Sequence, residues 1–225
     1  MSKTGETPKV AVVNTDFGQA GKFVRENQKS LTFIGGAIVA MIFIYFAYQK
    51  FYIAPREVTA SNQMYQAQDF WAKKEWDKAI KGDAGYPGFE KIISEFSNTR
   101  AANLAYFYLG VAYLNKGEYR KAVSNLTNYR GDDNIVGPEA FGSTADAYVE
   151  LKDYDKAESY YKKAIDKSNN KFITPLYLKK LGLLYEAQNN NKAAGEVYER
   201  IKKDYPDSPA AQNIDEYIGR AEAKR

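Results

Sequence analysis

The side chains best able to do acid or base chemistry are two carboxylate pairs, Asp132 with Asp133 and Asp153 with Asp155. Such a pair catalyses when its two groups are pushed to different pKa values inside a desolvated pocket. Both pairs, however, fall in turns between helical stretches, where carboxylates cap helix starts and stay in water. The 225 residues include no histidine and no cysteine. Nucleophilic triads, cysteine proteolysis, the common zinc sites, thiol redox chemistry, disulfides and an acylated-cysteine anchor therefore all lack their reacting atoms. The expectation is a non-enzymatic chain with no catalytic residue, no metal, no cofactor and no small-molecule substrate. A lysine group, Lys162, Lys163, Lys167, Lys171, Lys179 and Lys180, is the other chemical feature. It reads either as a solvated helix face or as a dock for an acidic partner.

Charge is distributed unevenly. Residues 1 to 56 carry seven basic and three acidic side chains, which is the whole excess of +4, and residues 57 to 225 balance at 25 of each sign. A neutral body without a basic stripe argues against nucleic acid, whose phosphates need one.

The elements that must carry any site begin with an uncharged run of 20 residues, Ser30 to Gln49, "SLTFIGGAIVAMIFIYFAYQ". As a helix it reaches roughly 30 Å, the thickness of bilayer hydrocarbon. Bulky Tyr48, Phe51 and Tyr52 follow it where a signal-peptide cleavage site would need small residues, so it is expected to remain as an anchor over 30–53. Five basic residues precede it and Lys50 and Arg56 follow, which puts the N-terminus in the cytoplasm. Gly36 and Ala40 form a small-xxx-small pair that would let another helix approach, although such pairs are common in spans. Residues 1–29 form a tail, with 1–14 expected to be disordered and Phe17, Ala20 and Val24 on one face of a short helix capped by Thr15 or Asp16. Only Phe51 to Ala54 separate the span from a helix start at Pro55, which would hold the next domain close to the outer leaflet.

From 55 to 225 the periodicity is helical with no convincing strand, and one pattern is written four times. Placing Ala79, Ala122, Ala157 and Ala194 in register aligns Ala67, Gly110, Ala145 and Gly182, then Phe70, Tyr113, Tyr148 and Tyr185. Trp76, Tyr119 and Tyr154 also align, with Asn191 departing in the fourth copy. The pattern resembles the tetratricopeptide repeat, a helix-turn-helix unit of about 34 residues. That resemblance implies an all-α solenoid of about four pairs, at 57–98, 103–134, 138–170 and 174–207, closed by a helix over 208–223 with Ser208 as cap and Pro209 in its first turn. Small residues would sit where the two helices of a pair cross. "GDAGYPG", Gly82 to Gly88, interrupts the first pair as an insertion of about six residues, with Tyr86 on its loop as a possible partner contact.

In a solenoid of this kind the first helix of every pair lines the concave side. By register that side shows Met64, Gln68 and Trp71, then Phe107, Val111 and Leu114, then Gly142, Asp146 and Val149, then Lys179, Leu183 and Glu186. Phe107, Val111 and Leu114 either face this groove or pack between repeats. The carboxylate clamp of chaperone-binding relatives is absent, its positions holding Phe107, Val111, Ser143 and Leu176.

The order tail, single span, short tether, repeats and closing helix, with "GFEKIISEFSNTRAANLAYFYLG" and "DAYVELKDYDKAESYYKKA", is similar to the YfgM-type ancillary subunits of the bacterial SecYEG translocon. The resemblance implies a single-pass inner-membrane protein with a cytoplasmic N-terminus and a periplasmic repeat domain. Its implied partners are the translocon, a PpiD-type membrane-anchored foldase and exported polypeptides. A scaffold in another envelope machine, for secretion, motility or cell division, is the alternative.

Overall fold

The computed structural model describes residues 17–168 and 170–224, with backbone alone for 17–20. It divides into two units, one ending at Tyr52 and one starting at Ile53. The cap expected at Thr15 or Asp16 and the disorder expected over 1–14 lie outside the described residues.

The first unit holds α1 (Phe17–Glu26) and α2 (Gln28–Tyr48), followed by a π-helical turn, Gln49–Ile53. None of the side chains of α2 is buried, and Phe33, Ile38, Met41, Phe43 and Ile44 stand fully on its surface. The helix is long and apolar enough to cross a membrane.

The second unit is a helical solenoid. Its hairpins pair α3 (Ala54–Ala72) with α4 (Trp76–Lys81) and α5 (Phe89–Glu95), α6 (Arg100–Asn115) with α7 (Tyr119–Leu126), α8 (Val136–Glu150) with α9 (Tyr154–Lys167), and α10 (Ile173–Ala187) with α11 (Asn191–Asp204). The final helix, α12 (Ile214–Ala223), packs on α11. The core falls into two clusters, one from Ala60 to Ala147 and one from Ala145 to Ala221, so α8 contributes to both.

Each hairpin is locked at one crossing. Ala79, Ala122, Ala157 and Ala194 are fully buried, and the residues aligned twelve positions earlier are buried against the second helix. A Cβ on Gly110 would meet Leu126 Cγ at 2.5 Å, and one on Gly182 would run into the ring of Tyr198. Leu126 and Tyr198 each lie sixteen residues after their glycine, as Tyr161 does after Ala145. The insertion in the first hairpin carries this bulky place forward to Phe89, which is fully buried and stacks on Tyr108 at 5.4 Å.

The turn inside each hairpin repeats as closely as the crossing does. Glu75 N–H donates to Phe70 C=O (2.9 Å), Glu118 to Tyr113 (2.9 Å), Asp153 to Tyr148 (2.9 Å) and Asn190 to Tyr185 (2.8 Å). These six-to-one bonds are Schellman closures that satisfy the last carbonyls of α3, α6, α8 and α10. They require a left-handed residue, and Lys74, Gly117, Lys152 and Asn189 supply it with φ between 59° and 77°. The turn glycine at Gly117 was visible in the sequence, but the two lysines hold the same conformation against their own Cβ. Asn191, where the repeated aromatic is missing, donates its side-chain N–H to Lys224 C=O at 2.9 Å and so ties the fourth hairpin to the end of α12.

Two local expectations are corrected. The 82–88 insertion is not strand-free: Gly82 and Asp83 pair antiparallel with Pro87 and Tyr86 across Ala84 and Gly85, both at positive φ. A Cβ on Gly82 or Gly88 would strike backbone atoms of this ribbon, which explains the glycines. The closing segment is not one helix from 208. Ser208 does cap, accepting from Ala211 N–H at 3.3 Å, but it caps a 3-10 turn, Pro209–Ala211. Gln212 is then extended and Asn213 left-handed, and this break turns the chain so that α12 starts at Ile214 and buries Ile214, Ile218 and Ala221.

Relief of the left-handed strain is measurable. Lys152→Gly should raise stability by up to about 1 kcal/mol, and Gly117→Lys should lower it by about 1 kcal/mol, as read from unfolding midpoints of the full chain by circular dichroism.

Candidate functional site

Of the two carboxylate pairs, Asp132, Asp133 and Asp153 hold structural partners, and Asp155 is exposed. Asp133 accepts from the backbone N–H groups of Ile135 (2.9 Å), Val136 and Gly137 (3.3 Å) and from the Tyr129 hydroxyl (2.8 Å), closing the start of α8. Burial works against its charge, yet these donors hold its carboxyl below the usual range. Asp132 pairs with Lys167, and Asp153 accepts from Lys156 N–H at 3.3 Å at the start of α9. The lysine group is dispersed in the same way. Lys162 pairs with Glu158 (2.6 Å), Lys180 with Asp146 (2.6 Å), Lys163 lies over Tyr160 and Lys179 over Tyr217, both at 4.3 Å. Five of the six lysines thus have a carboxylate or ring partner, and Lys171 is exposed.

The open surface lies along the first helices of the second, third and fourth hairpins. Two adjoining hollows of about 490 and 260 Å³ share Asp146, Val149 and Tyr161. The larger one reaches Leu114 and Asn115 at the end of α6 and Glu150 on α8. The smaller one is walled by Leu183, Leu184 and Ala187 of α10 and by Tyr154. Asp146 forms the wall between them: one carboxylate oxygen accepts from Tyr161 Oη and the other from Lys180 Nζ, each at 2.6 Å. These bonds link α8, α9 and α10 at the groove floor. Burial, with the Asp146 charge behind it, pushes the Tyr161 phenol far up, so it stays a neutral donor.

Two exposed apolar residues extend the surface along α10. Leu176 and Leu183 are 46% and 43% exposed, and their spacing of seven puts them on one helix face. Facing them, α8 carries Glu139, Asp146 and Glu150 at intervals of seven and four. Glu139 is half-buried beside Asp133, and burial followed by that neighbouring charge raises its pKa. No cation lies within ion-pair distance of it among the described residues. Tyr177, on α10, feels both Asp146 and Glu139, which places the two carboxylates along the same inter-helix seam.

Of the residues expected in the groove, Leu114, Asp146, Val149 and Leu183 line it. Phe107 does not: it is buried and packs against Tyr108 and Tyr129, 5.5 and 6.0 Å between ring centroids. Val111 is half-buried against the same cluster. Met64 is likewise core, Trp71 packs edge-on to Trp76 and Tyr108, and Gly142 makes room for the Tyr177 ring. The early end of the expected groove is therefore interior. Lys179 and Glu186 turn toward α12, where Glu186 receives two bonds from Arg220 at 2.9 and 3.0 Å. Gly36 and Ala40 lie exposed on α2 with open space around the Gly36 Cα, and Tyr86 projects from the ribbon, 57% exposed. Glu139, on the α8 stripe, and Lys180, on the smaller hollow, belong to the surface beyond the residues that register predicts. The interval from Glu139 through Asp146 to Glu150 on one stripe was the available signal.

Known proteins bear out the architecture. A family model described as tetratricopeptide repeat matches residues 109–172 and 143–209. The uncharacterized protein ycf37 of Guillardia theta is 30% identical over 116 residues, which is 50% of this chain and 64% of that protein, so this chain spans under two thirds of the relative's length. The crystal structure of MamA protein superposes with a TM-score of 0.58 at 20% identity, covering 74% of this chain and 82% of that one. A Podospora anserina putative kinesin light chain structure with TPR-like repeats gives 0.56 at 14% identity, covering 73% and 85%. Residues 109–209 match the tetratricopeptide repeat, and the fold is an all-α solenoid of the tetratricopeptide type. Repeats of this kind are protein-interaction scaffolds, and the chain has the class's typically non-catalytic architecture.

Glu139 gives the groove a pH signature. Its folded-state pKa lies above the unfolded one, so its stabilising share is present at low pH and is lost as pH rises through the folded value. Glu139→Gln should match the parent in melting temperature below about pH 4 and exceed it at neutral pH. Thermal melts from about pH 3 to pH 8 read the difference directly.

Proposed function

We propose that this chain is a non-enzymatic, membrane-anchored scaffold whose groove between α6, α8 and α10 holds segments of other proteins. The observation that carries this reading is an open apolar and acidic surface on a tetratricopeptide solenoid, in a chain whose α2 is long and apolar enough to span a bilayer. A scaffold needs rigid elements and exposed anchors, and α10 offers two exposed large apolar side chains, Leu176 and Leu183, on a helix that is otherwise mostly packed.

In this reading α2 crosses a bacterial inner membrane once. The basic residues before it hold the N-terminus in the cytoplasm, and the solenoid lies in the periplasm. The partners are the SecYEG translocon and a PpiD-type foldase, and exported chains enter the groove. Support comes from the order of elements, from the span's charge bias, and from the Gly36 and Ala40 face of α2, where a neighbouring membrane helix can approach closely.

Photo-crosslinking amino acids at Gly36, Tyr86 and Leu183 in native membranes should give adducts with translocon subunits from Gly36. Tyr86 and Leu183 should give adducts with the foldase or with newly exported chains. Adducts confined to motor, secretion or division components would reject this partner set in favour of another envelope machine.

A further inference from the structure

The groove reading leaves open what kind of segment fits, and the two rows facing each other across α8 and α10 answer it; the inference rests on that reading. On one side stand Glu139, Asp146 and Glu150, and on the other Leu176 and Leu183. We propose that this face takes a basic amphipathic helix, its apolar side on α10 and its lysine or arginine side on the carboxylates of α8.

The balance of charge within the seam favours a cationic occupant. Asp146 already has Lys180 at 2.6 Å, and the other lysine on this stretch of α10, Lys179, is held over Tyr217. That leaves Glu139 without a cation within ion-pair distance among the described residues, Lys167 being paired with Asp132, and Glu150 with the Tyr119 hydroxyl as its hydrogen-bond partner. A cation brought to Glu139 would offset the desolvation that this carboxylate now bears alone, whereas an anionic segment would add like-charge repulsion to it. The apolar row has helical spacing. Leu176 and Leu183 lie one heptad apart, the interval at which an opposing helix repeats its own apolar side chains. The 260 Å³ hollow beside Leu183 and Leu184 then accepts one larger anchor side chain.

The test uses the full chain in nanodiscs of zwitterionic lipid, with empty discs as the blank. The probe is a fluorescent helical peptide with one leucine face and one lysine face, compared with the same peptide carrying glutamate for every lysine. Anisotropy should show saturable binding of the lysine peptide, at least tenfold tighter than the glutamate peptide. Glu139→Gln with Glu150→Gln should weaken it at least tenfold, and so should Leu176→Ser with Leu183→Ser, two partly exposed positions; circular dichroism confirms that both variants fold. Equal binding of the two peptides, or affinities within twofold of the parent for both double variants, would overturn the proposal. Because no cellular partner is present, charge-selective binding stands even if the crosslinks name another machine. Translocon adducts from Gly36 likewise stand if the peptide result fails.

Discussion

The second unit depends on one steric constraint, repeated: a small residue on the first helix of each hairpin, pressed by a bulky one on the second. At Gly110 and Gly182 even a methyl group would overlap Leu126 or the Tyr198 ring. Close approach lets the two helices bury nearly all the surface between them, and interiors packed to crystal-like density tolerate neither added nor missing volume there. Every later feature inherits this spacing. The first helices lie side by side as a sheet of cylinders, their outward stripes in register, and the stripes of α8 and α10 become the two walls of a groove.

The groove is a consequence of where packing stops. On α6 the residues in the concave register, Phe107 above all, are still consumed by contacts with Tyr108 and Tyr129. From Leu114 onward the surface opens, and Asp146 keeps it open by bonding across to Tyr161 and Lys180 instead of letting the apolar residues close over it. At the far side α12 occupies the next first-helix position and engages Lys179 and Glu186. The binding surface is thus bounded at one end by core and at the other by the closing helix.

The repeat was legible because its signal is local: alanines, glycines and aromatics at fixed intervals are forced by the crossing and by the Schellman turn. Gly117 announced its turn, but Lys74 and Lys152 concealed theirs, since the Schellman closure holds a lysine in a conformation that its own Cβ opposes. The site was less legible. Register says which side of a helix a residue faces, and so found Asp146, Leu114 and Leu183. It does not say how far a neighbour leans over, so Phe107 and Met64 were placed in a groove that the packing had filled. The break at Gln212 and Asn213 was hidden for a related reason, because Pro209 with Ser208 before it suits a 3-10 turn as well as an α-helix.

A double-mutant cycle on the fourth crossing tests the governing constraint most directly. Gly182→Ala should cost about 1 to 3 kcal/mol in the parent. In a Tyr198→Leu background, where the ring is gone, the same substitution should cost much less, giving a coupling of at least about 1 kcal/mol. Additivity of the two changes within about 0.5 kcal/mol would contradict the account, since it would mean that the glycine and the ring do not share the space on which the hairpin is built.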